Sequence, residues 1–195
     1  MLLNKYKKDA FPPEPSDRTL GIHLSDIYGD IAQSSGIDSF VKDPNSTGPN
    51  LKMEMGFIWE RSLENEFRKR AMQSVDQGPD VFRPGEIVVE GIPMSPDGIC
   101  MEPWKLMEYK LTWMSSNRDP QDNWRWMTQI KGYLYGVSKF FDRLTLECDL
   151  HVLYVNGDYR NSGPEYWCYE MQFTATEISE TWKMLYNHGK KRGWI

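Results

Sequence analysis

Leu106-Met107-Glu108-Tyr109-Lys110-Leu111 alternates apolar and charged residues with the period of a β-strand, and the rest of the chain is best read outward from it. Successive side chains of a strand leave opposite faces, so Glu108 and Lys110 emerge side by side while Met107, Tyr109 and Leu111 face the other way. A carboxylate and an ammonium are thereby fixed as neighbours. Upstream, Ser95-Pro96-Asp97-Gly98 has the composition of a turn. The ten residues between Asp97 and Glu108 are enough to finish one strand, turn at Glu102-Pro103 and return. Two carboxylates from adjacent strands are expected to meet beside Lys110.

That trio has a chemical reading. Paired carboxylates are hard oxygen donors that select Mg²⁺ or Mn²⁺, and such an ion offsets charge developing on a phosphodiester and acidifies water. Lys110 is then placed to position or deprotonate that water, at a centre of one or two metals. Gln129 and Tyr133 follow four residues apart, on one face of a helix. Gly56-Phe57-Ile58-Trp59-Glu60 lies on a helix upstream.

Residues 1–18 carry Lys5, Lys7 and Lys8 and then Phe11-Pro12-Pro13-Glu14-Pro15, with no apolar period, and read as a flexible N-terminal arm. Residues 19–195 read as a single domain. A short helix is expected from Gly21 to Ile31 with Ser25 as its cap, followed by a polar loop to Asn50 and a longer helix from Met53 to Met72. Glu86–Glu90, Ile92–Met101 and Leu106–Leu111 read as a β-meander. A helix runs from Asp119-Pro120 to Phe141 with Met127, Ile130, Leu134 and Val137 on one side. Strands follow at Leu150–Val155 and Tyr166–Phe173, separated by the turn Asn156-Gly157-Asp158. The last helix has a capping box in Thr174 and Glu177, a staple in Phe173 and Ile178, and a stop at Gly189. This order gives an α/β (α+β) fold, a mixed central β-sheet flanked by helices.

Composition narrows the function further. Among 195 residues, Lys+Arg number 23 and Asp+Glu 28, a net charge of -5 that by itself argues against a generic nucleic-acid coat. Cys100, Cys148 and Cys168 are an odd number with no CxxC pair, which supports neither a disulfide framework nor a zinc or iron-sulfur cluster and suggests buried free thiols. His23, His151 and His188 show no HxH or HExxH spacing, so no zinc site is expected. GxSxG, GxxxxGK[ST] and GxGxxG are absent, against serine hydrolase, P-loop and dinucleotide chemistry. No apolar run approaches the ~20 residues of a membrane span and no secretory signal is visible, so a cytoplasmic location without membrane contact is expected.

Taken together, a helix with G-x-x-x-E, then S-P-D-G, then E-x-K, then a helix with Gln resembles the PD-(D/E)XK nuclease superfamily, in its phage lambda exonuclease and RecB-like branch. All four strings occur here in order. Arg18-Thr19-Leu20-Gly21-Ile22-His23-Leu24-Ser25-Asp26 looks like the segment that opens lambda-type exonucleases, so the resemblance spans about Arg18 to Arg160. It implies a restriction-endonuclease-like core and a Mg²⁺- or Mn²⁺-dependent deoxyribonuclease. By resemblance, Asp97 and Glu108 are metal ligands with the Tyr109 backbone carbonyl, Lys110 is the catalytic lysine, and Glu60 supports the metal. Gln129 braces the site and contacts DNA, while Arg18, Ser25 and Ser95 form a pocket for a 5′-terminal phosphate.

RecB-like CRISPR adaptation nucleases hold an iron-sulfur cluster on four cysteines; with three scattered ones no iron-sulfur cluster is expected. Glu60 stands where many RecB-like members have histidine, which favours the lambda type: a 5′-to-3′ exonuclease on linear duplex ends, in recombination or DNA repair. Partners implied by the resemblance are DNA, a single-strand annealing protein and further copies in a homo-oligomer. The competing readings are a structure-specific endonuclease or single-strand nuclease on the same site, and a non-catalytic DNA-binding module. Against this background the charge of -5 loses force, because three of the acids, Glu60, Asp97 and Glu108, are assigned to a cation.

Overall fold

A parallel pair at the centre of the sheet organises the molecule. In the computed structural model, which describes residues 21–37, 51–73, 80–160 and 163–195 (backbone only for 51–53 and 68–73), β5 (Lys105–Thr112) runs parallel to β6 (Glu147–Tyr154). Parallel neighbours need a crossover, and α3 (Trp124–Phe140) supplies it. To one side β4 (Gly98–Cys100) pairs antiparallel with β5, and β1 (Val81–Phe82) with β4; to the other, β7 (Glu165–Gln172) pairs antiparallel with β6. The five-stranded order is β1-β4-β5-β6-β7, a mixed sheet as expected. β2 (Ile87–Val89) and β3 (Ile92–Met94) form a separate two-stranded sheet.

Helices cover both faces. Leu106, Cys148, Leu150, Val152 and Tyr154 project to one side, where they join Leu24 and Ile27 of α1 (Leu24–Ser34), Ile130, Leu134 and Val137 of α3, and Trp182 and Leu185 of α4 (Ala175–Arg192) in the main core. Met107 and Tyr109 point the opposite way, against Leu63 and Phe67 of α2 (Leu51–Gln73). Among the described residues no helix is long and apolar enough to cross a membrane.

Several expectations are corrected. The meander is broken, because β3 pairs with β2 and not with β4. Pro93 and Pro96 remove two ladder donors where that pairing would have to form. Ser25 is not the cap of α1: the helix starts at Leu24 on His23, whose backbone N–H donates to Asp26 Oδ2 at 2.9 Å. Gly189 does not stop α4, which runs to Arg192 and ends on Gly193 in the left-handed region at φ 70°. A Cβ at Gly189 would lie 2.4 Å from Ile195, so that glycine lets the C-terminal residue pack against the helix. Its companion signal holds: Thr174 Oγ1 accepts from Glu177 N–H at 3.2 Å, and Thr174 N–H donates to Glu177 Oε2 at 2.8 Å. Of the free thiols, Cys100 and Cys148 are buried but Cys168 is exposed on the edge strand. The arm 1–18 and most of the loop to Asn50 lie outside the described residues.

A candidate acidic site on the central strand

The alternation of β5 carries Glu108 and Lys110 onto the face covered by α3. Glu108 is 0% exposed, flanked by Leu150 as its partner in the parallel register. Its Oε1 accepts from Lys110 Nζ at 2.5 Å, and its Oε2 is buried without a hydrogen-bond partner. Burial, and next the charge of Asp97, push the Glu108 carboxyl up to about 8. For Lys110 burial works against the charge, yet Glu108 and Asp97 outweigh it and hold the ammonium above its ordinary value.

Asp97 reaches the same strand from the turn before β4. Its Oδ2 accepts from the Tyr109 backbone N–H at 2.8 Å, which pins the carboxylate beside the backbone between Glu108 and Lys110. Gly98 is needed next to it, since a Cβ there would lie 2.9 Å from Val81 Cγ1 and 3.3 Å from Met107 Cβ. Glu60 comes from α2; burial, then Asp97, raise its carboxyl to about 7 against the opposing pull of Arg83 and Lys110.

The fourth wall is α3. Asn123 Oδ1 caps the helix by accepting from Trp126 N–H at 3.2 Å, and the helix then directs Gln129 at Lys110. Gln129 Oε1 accepts from Lys110 Nζ at 2.9 Å and from Tyr28 Oη at 3.3 Å, while Gln129 Nε2 donates to Tyr133 Oη at 3.2 Å. Because an ammonium only donates, Lys110 fixes which end of the amide faces it, and the two hydroxyls adapt to that orientation. Burial pushes the Tyr133 hydroxyl well above its ordinary value, so it stays protonated.

The structure thus brings Asp97, Glu108, Lys110, Glu60 and Gln129 together, with the Tyr109 backbone among them. Ser95 lies two residues before Asp97 and Ser25 lies in the first turn of α1, both half-buried; Arg18 lies outside the described residues. Tyr28 escapes sequence reasoning because it meets Gln129 across 101 positions of chain. Tyr133 carries the helical spacing signal without a role attached to it. Trp124 and Trp126 pack against the main core.

The donor set suits a hard divalent cation. Three carboxylates face one ammonium, and the partnerless Glu108 Oε2 is a buried oxygen that a cation would satisfy. Without an ion the carboxylates repel one another, and stability should show it. Both glutamates keep their protons to higher pH in the fold than at the usual 4.5, so their stabilising contribution is complete below 4.5 and is lost as pH rises through about 7 and 8. Asp97→Asn keeps an oxygen for Tyr109 N–H and removes one charge. In thermal melts without divalent ions it is expected to raise Tm at pH 8 by about 2–4 °C, the shift that roughly 1 kcal/mol gives in a chain of this size. At pH 4.5 the gain should vanish; an unchanged Tm at pH 8 would contradict the repulsion.

No protein-family profile matches the sequence, and no curated protein matches it. Among solved structures the chain is similar to the crystal structure of SSO0001, at 13% identity over 91% of this chain and 79% of that one, with a TM-score of 0.48. It is also similar to an alkaline exonuclease, LHK-Exo, from Laribacter hongkongensis, at 15% identity over 88% of this chain and 87% of that one, TM-score 0.45. For LHK-Exo in complex with dAMP the values are 17% identity, 85% and 76% coverage, and 0.42.

Proposed function

We propose that this protein is a Mg²⁺- or Mn²⁺-dependent DNA nuclease, acting as a 5′-to-3′ exonuclease on linear duplex. The observation that carries this reading is the buried, partnerless Glu108 Oε2, whose carboxyl feels the charges of Asp97 and Glu60 and is bonded by Lys110. Asp97, Glu108 and Glu60, with the Tyr109 backbone carbonyl, would hold the ion. Bound there, a divalent cation supplies positive charge opposite the phosphate oxygens and acidifies water.

The chain's own groups do the rest. Held as an ammonium by Glu108 and Asp97, Lys110 spends two N–H bonds on Glu108 and Gln129 and presents the third to the attacking water or to a phosphate oxygen. Gln129, fixed by Tyr28 and Tyr133, keeps that ammonium aimed. Ser25 and Ser95, with Arg18, are assigned to the 5′-phosphate. The signature strings of the PD-(D/E)XK superfamily support the same roles.

The test uses a 5′-phosphorylated linear duplex beside a closed circle of the same sequence, with and without Mg²⁺. Release of nucleotides from the linear substrate alone, requiring Mg²⁺, is the expected result. Cutting of the circle would make the enzyme an endonuclease, and the absence of any metal-dependent hydrolysis would overturn the reading. Calorimetric titration with Mn²⁺ should show binding to the native chain and its loss in Asp97→Ala; a non-catalytic DNA-binding module would bind DNA without either.

A further inference from the structure

A second set of donor atoms lies on the sheet face opposite Lys110. His151 of β6 and Cys168 of β7 are direct partners in the antiparallel register, so their side chains leave the same face side by side, and Asp149 precedes His151 by one pleat. His151 Nε2 is 3.9 Å from Cys168 Sγ, and one donor atom from each of Asp149, His151 and Cys168 lies within 4.8 Å of the others. A tetrahedral zinc ion with its usual bond lengths needs N and S about 3.6 Å apart. Rotation of the exposed Cys168 side chain closes the remainder.

The imidazole is already aimed. Its Nδ1 lies 2.6 Å from Tyr166 Oη, and the ring stacks on Tyr166 and packs edge-on against Phe67 and Tyr109. The tautomer that donates from Nδ1 to Tyr166 leaves the lone pair on Nε2, facing Cys168. Asp149 engages Lys105 through Oδ2, and a carboxylate has a second oxygen to give to an ion. Thiolate, imidazole and one carboxylate make a borderline-soft set, unlike the all-oxygen cluster at Glu108.

We propose that Asp149, His151 and Cys168 form a zinc site that fastens the edge strand β7 to β6, with solvent in the fourth position. Binding transfers the Cys168 thiol proton to solvent as the thiolate takes up the ion. The site is independent of the nuclease reading and sits on the other face of the sheet.

Co²⁺ reports such a site by its colour. Metal-stripped full-length protein titrated with Co²⁺ is expected to develop a thiolate-to-cobalt charge-transfer band and tetrahedral d–d bands that are displaced by Zn²⁺, and that saturate at one equivalent once Asp97→Asn has disabled the carboxylate site. Cys168→Ser, at an exposed position that tolerates it, should abolish the charge-transfer band, whereas Asp97→Asn should retain it. With the carboxylate site disabled by Asp97→Asn, Zn²⁺ should raise the Tm, and adding Cys168→Ser to that variant should abolish the rise. Tyr166→Phe should weaken Zn²⁺ binding roughly tenfold by loosening the imidazole. No thiolate band in the native chain, a band that persists in Cys168→Ser, or one lost in Asp97→Asn overturns the proposal.

Discussion

Lys110→Ala is expected to lower Mg²⁺-dependent release of nucleotides from linear duplex by roughly 10²–10⁴-fold, the range lost when a positioned proton-handling or charge-stabilising group is removed. The lysine is bonded to Glu108 and Gln129 at once, which holds its ammonium at one point of the site. Removing the partly buried ammonium also takes away the hydrogen bond to the Glu108 carboxylate, and Glu108 should then hold its proton to still higher pH. Lys110→Met preserves the volume of the stem and separates the chemical loss from a packing loss. Turnover of Lys110→Ala within tenfold of the native chain, with its circular dichroism unchanged, would remove Lys110 from the reaction.

Leu150→Ala should cost about 2–5 kcal/mol in urea unfolding. Leu150 is fully buried on the parallel strand, opposite Glu108 in register and within the core shared by α1, α3 and α4. Neighbours on β5 and β6 are held by the ladder and cannot collapse into the space a leucine vacates. The cavity also opens beside Glu108, so water reaches the carboxylate whose desolvation raises its proton affinity. A cost under about 1 kcal/mol would mean that the core relaxes around the site, contrary to the packing described.

Much of this was legible from local pattern. The alternation at 106–111 identified β5 and placed Glu108 with Lys110, because a pleated strand leaves side chains no other choice of face. The Gln129 and Tyr133 spacing gave a shared helix face, and Thr174 with Glu177 gave the start of α4. Where the sequence misled, tertiary packing had the larger energy: a mid-helix glycine costs only about 1 kcal/mol, and Ile195 fills the space at Gly189. β1 is two residues long and carries no period to detect. His151 and Cys168 show no ligand spacing along the chain because their adjacency comes from the β6–β7 register, 17 positions apart. For the same reason Tyr28 was invisible beside Gln129.

The order in which the chain is made gives the parallel pair another meaning. During synthesis Asp97, Glu108 and Lys110 leave the ribosome before Gln129, and Leu150 follows later still. Until β6 docks, Glu108 has one open flank and behaves as an ordinary solvated carboxylate. The two carboxylates and the lysine therefore exist in the nascent chain as composition only, and they become a site when the crossover closes and water is expelled. The raised proton affinity of Glu108 therefore belongs to the assembled sheet, where burial and Asp97 act on it together.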